Sequence, residues 1–565
     1  MLKNKPFQID RFLLGALLAG FVLRVTGIHW GMHYPDEHIV INHAMAFGTG
    51  DLNPHFFIYP TLLMYVLFIF YGIFYVLGHL VQFFPTADDF LRLYLLSPHI
   101  FYMLARMVSV LFGTATIWAC YKLTAKYANS AAARIAAIFM AVCFLPVRDS
   151  HFVITDIPLT FFMTLALALT LKYLDSRRMQ DLLWASALTG IAASIKYNAF
   201  FLALPIAAAY FMTEKPQISR VFRDALSCAL LMVAAFFVGS PFVFLDFGSA
   251  SKEILHQLEV NRAFHVGPWH HLSMVFYGLD IYLFFLFVLG FLLSLRNFDK
   301  KLAILISFLG AYYYLITKAG QPFERYVLPL LPVCILFAAV ALQKAEAWIA
   351  DPRQRKTFLI GLTAVVTSLS LVKTLSSDIL FLHQDTRDLA AQWISAHVPP
   401  KSTVVLDNAM DCPRLTASKE QIEQKIKDLN AQSSQDRIKE RRLKALAEIQ
   451  PYPKDSYDLY YLGIETGQFT LLGPGVPFSV ESLEVIHADY VVADTRAMAR
   501  QMKFYEELKQ RADQVALFDP RKNPERPMTS EHWTTIPIDG FFWNYKNPGP
   551  MIHIFKIRKS YAAAG

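Results

Sequence analysis

A long series of apolar runs constrains this chain most. They lie at 12–28, 61–80, 101–121, 132–147, 157–174, 182–195, 198–212, 223–242, 274–294, 302–317, 328–348 and 357–375. About 20 apolar residues suffice to cross a bilayer as a helix, and a chain with this many such runs can bury them only in lipid and against one another. Of the 565 residues only 17% are charged, whereas soluble domains carry roughly a quarter, so most of the chain is expected in membrane. The start, Met-Leu-Lys-Asn-Lys-Pro, is followed by no small-residue cleavage site, so the first run reads as a retained anchor. The net charge of +8 is scattered through short loops between the runs, which speaks against a nucleic-acid partner. Four of the five cysteines (Cys120, Cys143, Cys228 and Cys334) sit inside apolar runs, and Cys412 follows later. With no CxxC, neither a disulfide framework nor a zinc site is expected.

Hydropathy falls for good after Ser376. The remainder has soluble composition, with a charged, helix-prone stretch from Lys419 to Glu448. Ser402–Asp407, Asp489–Ala493 and Ile552–Ile557 read as short strands rich in Val and Ile. The expected architecture is a polytopic helical membrane domain over 1–376, with about eleven spanning helices plus juxtamembrane helices in an outer loop at 29–100. A mixed α/β soluble domain follows at 377–565.

Lys and Arg mark the cytoplasmic loops of a membrane protein. The basic loops are 122–134, 172–181, 213–223, 295–301 and 343–356, and the N-terminus adds Lys3, Lys5 and Arg11. All share one side only if 61–80 does not cross. That segment carries Tyr65, Tyr71, Gly72, Tyr75, Gly78 and His79, an interfacial composition, so it is expected as a juxtamembrane or re-entrant helix on the outer face. The C-terminal domain and the loops holding Asp36, Asp156, His265 and Arg325 then lie outside the cytoplasm.

Those outward loops hold the polar residues fit for chemistry. The carboxylates of Asp36 and Glu37 follow the first run directly; at a membrane surface such groups are costly without a partner or a task. They either end the helix or take a proton from an acceptor hydroxyl. With His33 they could also chelate a metal if the segment is helical, since positions four apart share a face. Arg106, set in Leu-Ala-Arg-Met-Val, needs an anion. Asp156, in Thr155-Asp156-Ile157-Pro158, can cap the helix that follows it or take part in catalysis. Lys196, in Lys196-Tyr197-Asn198, either snorkels or binds an anion. Arg325 can clamp a phosphate with its planar fork, or pair with its neighbour Glu324. The loop at 243–273 contributes Asn261, Arg262, His265, His270 and His271.

Several motifs occur together in a familiar order: the acidic pair Asp36-Glu37, Phe57-Ile58-Tyr59-Pro60, Arg106 with Gly113, Thr155-Asp156-Ile157-Pro158-Leu159, Gly190 with Lys196, and Arg325-Tyr326-Val327-Leu328-Pro329-Leu330-Leu331-Pro332. Over roughly 1–375 the chain resembles the GT-C glycosyltransferases of the protein O-mannosyltransferase and aminoarabinose transferase type. The ending Asn547-Pro-Gly-Pro-Met-Ile-His-Ile-Phe-Lys-Ile557 is similar to the last strand of periplasmic domains in bacterial members. The resemblance implies a GT-C fold in a bacterial inner membrane, with the C-terminal domain in the periplasm. It also implies an inverting glycosyltransferase that moves a sugar from a polyprenyl-phosphate donor, entering from the bilayer, to an extracytoplasmic acceptor hydroxyl. Asp36 would be the general base and Glu37 would orient Arg106 or the acceptor, with Asp156 joining the catalytic set. Lys196 and Arg325 would hold the lipid phosphate and His265 would assist, while Tyr59, Tyr197 and Tyr326 fall within the substrate-binding set. No cofactor is implied and a metal is not favoured. Aminoarabinose transferases often carry lysine where this chain has Tyr59, which argues against aminoarabinose as the sugar. The rival class is a transporter or lipid flippase, but no internal repeat is visible and the polar residues gather at one face.

Overall fold

The computed structural model describes residues 10–32, 34, 36–213, 218–263, 266–267, 269–346, 349–407, 411–431, 437–463, 473–526 and 542–558. The chain forms two compact units. One comprises Met1–Ile28, Asp36–Leu77 and Phe101–Asp378; the other comprises His29–Pro35, Gly78–Ile100 and Ile379–Gly565.

The first unit is helical and has two distinct ends. At one end the basic loops meet: Lys301 Nζ lies 2.9 Å from Asp175 and donates to the Lys126 carbonyl at 2.8 Å. Nearby, Arg177 donates to the Thr213 carbonyl and Lys300 to that of Met212, and Arg134 pairs with Asp10 at 2.7 Å. At the other end Arg106 donates to the Ile28 carbonyl at 3.0 Å. Arg106 and Lys126 both lie on the helix His99–Tyr127. Twenty residues of α-helix between them rise roughly 30 Å, the thickness of a hydrocarbon core.

Among the described residues, six helices are long and apolar enough to cross a membrane, or seven if the bent pair His270–Leu279 and Ile281–Leu295 is one span. The expected number was about eleven. The difference arises because several apolar runs fold as shorter helices, such as Arg11–Val25 and Met179–Ala193 with 15 residues each, and because the run at 274–294 is broken. Its halves meet at 111°, with Asp280 between them at a φ of 72°, where its carboxylate accepts from the amides of Tyr282 and Leu283 at 3.0 and 3.3 Å. That side chain satisfies the exposed amides of a new helix start.

The segment expected to lie on the outer face is one continuous helix, Leu62–Leu80, which is itself long and apolar enough to cross. Its tyrosines therefore do not make it interfacial by composition. Its contacts place it at the Arg106 end: Leu62 N–H donates to the Ser194 carbonyl at 3.0 Å, and Tyr71, midway along, donates to the Phe101 carbonyl at 3.1 Å. Within the sequence stretch 29–100 the strongly amphipathic helix is the ten-residue Ala87–Leu96, which belongs to the second unit and is opened by a Thr86–Asp89 capping box.

Close packing in this unit relies on missing side chains. A Cβ on Gly290 would come 1.8 Å from the Phe337 carbonyl oxygen, and one on Gly190 would come 2.1 Å from that of Met232. Small residues of this kind let membrane helices approach backbone to backbone. Gly290→Val is expected to lower unfolding stability by about 1–3 kcal/mol or more, the usual cost of overpacking, which a denaturation series on the purified protein would measure. An unchanged midpoint would show that this contact yields freely.

The second unit is built on one six-stranded sheet, with strands β1 (Thr403–Leu406), β2 (Asp458–Leu462), β3 (Gly475–Val476), β4 (Tyr490–Asp494), β5 (Ala512–Phe518) and β6 (Ile552–Ile557) in the order β3-β2-β1-β4-β6-β5. β3, β2, β1 and β4 run parallel, and β6 is antiparallel to β4 and β5. Alternation along the strands sends Val404, Leu406, Tyr490 and Val492 into a core with Ala390, Ile394, Ile422 and Leu443. Val405, Val491 and Ala493 enter a second core with Phe504, Tyr505 and Leu508. A sheet buried on both faces needs apolar residues at consecutive positions, which these short strands supply.

Candidate active site

Six of the predicted site residues line one pocket in the first unit. Asp36, Tyr59, Asp156, Lys196, Arg325 and Tyr326 surround it, joined by Val40 and the segment Val153–Thr155. Each comes from the start of a helix or from the short segment before one. Asp36 precedes the helix Glu37–Ala46, and Asp156 opens the helix Asp156–Ser176. Lys196 precedes the 3₁₀ turn Tyr197–Leu202, and Arg325 and Tyr326 lie on the 3₁₀ turn Glu324–Leu330. Pro158 in the first turn of its helix lacks the amide that a helix start leaves unbonded anyway, so it is accommodated without loss.

Neither aspartate caps its helix. The position before Asp156–Ser176 is Thr155, which makes no side-chain capping bond, and Asp36 makes none either. Of the two readings open for Asp156, capping gives way to ion pairing. Lys196 Nζ lies 2.7 Å from Asp156 Oδ1, and Arg325 Nε lies 3.6 Å from Asp156 Oδ2. Arg325 Nη2 also lies 2.9 Å from Asp36 Oδ2. Two carboxylates and two cations therefore alternate around the pocket. Aromatic faces back the cations: Lys196 Nζ sits 4.1 Å from the Tyr326 ring centre and the Arg325 guanidinium 4.1 Å from that of Phe323. Burial lowers the Lys196 ammonium from its usual range, opposed by the Asp156 carboxylate. Burial, with Asp36 adding to it, pushes the Tyr59 hydroxyl well above the usual phenol range, so Tyr59 stays a neutral hydrogen-bond donor.

Arg325 does not pair with Glu324, the neighbour that offered the bland alternative. Glu324 instead meets Arg148 at 2.7 Å, and Arg148 also meets Asp149 at 2.8 Å. This buried group beneath the 3₁₀ turn takes up Glu324 and leaves Arg325 to the pocket.

Glu37, Arg106 and Tyr197 lie beside the pocket and do not line it. Glu37 is fully buried and accepts Arg106 Nε at 2.7 Å and Nη2 at 2.6 Å, as well as the Val153 amide at 3.0 Å. The fork of Arg106 thereby meets the carboxylate in two parallel bonds, and the Val153 amide ties in the segment that leads to Asp156. Tyr197 donates its hydroxyl to the Phe57 carbonyl at 3.0 Å. His265 lies outside the described residues, as does His33 of the possible chelating trio. Among the described residues no group of His, Cys, Asp or Glu is arranged to hold a metal ion. The sequence flagged every charged residue of the pocket but missed the pairing of Lys196 with Asp156. Forty residues separate them, and no local pattern encodes that contact.

Residues 103–244 match the family model described as dolichyl-phosphate-mannose-protein mannosyltransferase. Among solved structures, ArnT from Cupriavidus metallidurans in the apo state aligns with a TM-score of 0.53 at 13% identity, covering 96% of this chain and 97% of that one. The same protein bound to undecaprenyl phosphate gives 0.50 with the same identity and coverage. The archaeal oligosaccharyltransferase AglB from Archaeoglobus fulgidus, in complex with an inhibitory peptide and a dolichol-phosphate, gives 0.50 at 13% identity, covering 90% of this chain and 73% of that one. No curated protein sequence matches the chain. With its apolar helices and this architecture, the chain is a multi-pass membrane protein with the GT-C glycosyltransferase fold. Within that class the fold is similar to that of ArnT over nearly the whole chain, and residues 103–244 carry the likeness to the mannosyltransferase family.

Proposed function

We propose that this chain is an inverting glycosyltransferase that takes a sugar from a polyprenyl-phosphate donor and places it on an extracytoplasmic acceptor hydroxyl of a glycan, lipid or protein. The observation that carries this reading is the convergence of two carboxylates, two cations and two tyrosines on one pocket at one end of a membrane-spanning unit. Undecaprenyl phosphate and dolichol-phosphate in the structures of similar fold point to the donor class.

In this reading Asp36 accepts the proton of the acceptor hydroxyl, and the oxygen attacks the anomeric carbon from the face opposite the phosphate. The bond from that carbon to the phosphate oxygen breaks, and the phosphodiester becomes a lipid phosphate monoester. One direct displacement inverts the anomeric centre. Lys196 and Arg325 meet the charge that grows on the leaving phosphate, and fixed cations in a site of low dielectric stabilise it with little reorganisation. Asp156 holds both cations in place, while the neutral Tyr59 hydroxyl can donate to a sugar or phosphate oxygen. Glu37, the acid beside Asp36, is not placed to ligate a metal, because both its oxygens are engaged by Arg106 and the Val153 amide.

The same reading sets the orientation. Basic loops belong in the cytoplasm, and they gather at the end opposite the pocket, so the pocket opens outside. In a bacterium this is the periplasmic face of the inner membrane, where Ile379–Gly565 would also lie.

Lys196→Ala and Arg325→Ala should each weaken binding of a lipid-phosphate sugar by about 10- to 100-fold, since hydrogen bonds to charged groups contribute about 1.5–3 kcal/mol. Lys196→Arg should recover part of that loss, because a planar fork does not reproduce a compact ammonium. Calorimetric titration of the purified protein measures both. Normal binding by both alanine variants would make the two cations mere interfacial anchors. Absence of sugar transfer by the wild type from any lipid-linked donor would favour a flippase.

A further inference from the structure

Among the described residues, the charges that line the pocket cancel without a donor. Asp36 and Asp156 balance Lys196 and Arg325, and a sugar phosphodiester would bring one more negative charge to cations already in use. Something must give way, and the two acids are held very differently. The Asp156 side chain is 1% exposed and faces both Lys196 at 2.7 Å and Arg325 at 3.6 Å. The Asp36 side chain is 24% exposed, makes no capping bond and, among the described residues, has its ion pair with Arg325 alone, at 2.9 Å. Releasing Asp36 costs one contact at a partly hydrated site. Releasing Asp156 would leave a buried carboxylate without its cations, which is far more costly.

Resting on the glycosyltransferase reading above, we infer that Asp36 is an internal stand-in for the donor phosphate: it occupies Arg325 until the donor arrives, and the arriving phosphate takes the guanidinium and frees Asp36 to act as base. Asp156 stays in place as the positioning residue for both cations. Before release, Asp36 lies against a guanidinium that stabilises its charge and opposes its taking a proton. After release, the phosphate competes for that guanidinium and the carboxylate can turn to the acceptor. Base and leaving group thus become ready together, and the acceptor is activated only when a donor is bound. The two substrates should therefore act in a fixed order, donor first.

The test uses the full chain in lipid nanodiscs with undecaprenyl phosphate as the binding probe, followed by calorimetry, with a thermal melt on every variant. Asp36→Asn and Asp36→Ala should both bind the probe about tenfold tighter than wild type, which corresponds to about 1.4 kcal/mol of relieved competition. Arg325→Ala should bind it more weakly, and in Asp36→Asn/Arg325→Ala the gain from the first change should vanish. Equal or weaker binding by both folded Asp36 variants, with Arg325→Ala still impaired, would overturn the stand-in and leave the phosphate clamp intact. Unchanged binding by Arg325→Ala would overturn the clamp and the stand-in together. Wild-type initial-rate and product-inhibition kinetics add an arm free of variants: ordered binding with donor first agrees with the inference, and acceptor-first or random order overturns it.

Discussion

Asp36→Asn should leave a folded protein whose turnover is lower by about 10² to 10⁴, the usual contribution of a well-placed general base. The substitution keeps the size of the side chain and one carbonyl acceptor but removes the proton acceptor. Because Asp36 makes no side-chain capping bond to the helix Glu37–Ala46, the change should cost the fold little. It also removes a negative charge from the Arg325 guanidinium at 2.9 Å, so donor binding should not suffer. A residue that merely ends a helix would show near-normal turnover when replaced by asparagine. The assay is transfer from a purified lipid-linked sugar to acceptor, beside a thermal melt. Turnover close to wild type in a folded Asp36→Asn protein would sink the assignment of the base.

Much of this pocket could be read from sequence because membrane burial makes charged residues conspicuous. Arg106, Asp156, Lys196 and Arg325 each stand out against apolar surroundings. Their partners did not, because neighbours in sequence diverge in space at the start of a helix. Asp36 and Glu37 are adjacent, yet one faces Arg325 across the pocket and the other is buried against Arg106. Glu324 and Arg325 separate in the same way, toward Arg148 and Asp36. Hydropathy located the apolar runs, but it is blind to a break made by one side chain, as at Asp280. In the second unit, β1, β4 and β6 were visible as runs of Val and Ile. β2, with the sequence DLYYL, and β5, with ADQVALF, carry polar residues that blur the strand pattern. The register that pairs them with the visible strands is non-local, and no single-chain pattern records it.

The buried pair Glu37–Arg106 makes the second large prediction, and it separates stability from positioning. Both side chains are almost wholly buried, and the guanidinium meets the carboxylate at 2.6 and 2.7 Å. Removing one partner of such a pair strands the other charge in low dielectric, which typically costs about 3–5 kcal/mol. Glu37→Ala should therefore lower unfolding stability by roughly that amount, measurable by denaturation of the protein in micelles. The double substitution Glu37→Leu/Arg106→Met removes both charges and should recover most of the loss, since apolar replacements of similar volume often match or exceed a buried ion pair. Activity should not return with it. Glu37 also accepts the Val153 amide at 3.0 Å, which anchors the segment that ends at Asp156 and so helps to set the distances of Lys196 and Arg325. The double variant should be folded, weak in donor binding and slow in transfer. A Glu37→Ala protein that melts like wild type would show that water reaches this pair. A double variant with full activity would show that Asp156 keeps its place without the Glu37 anchor.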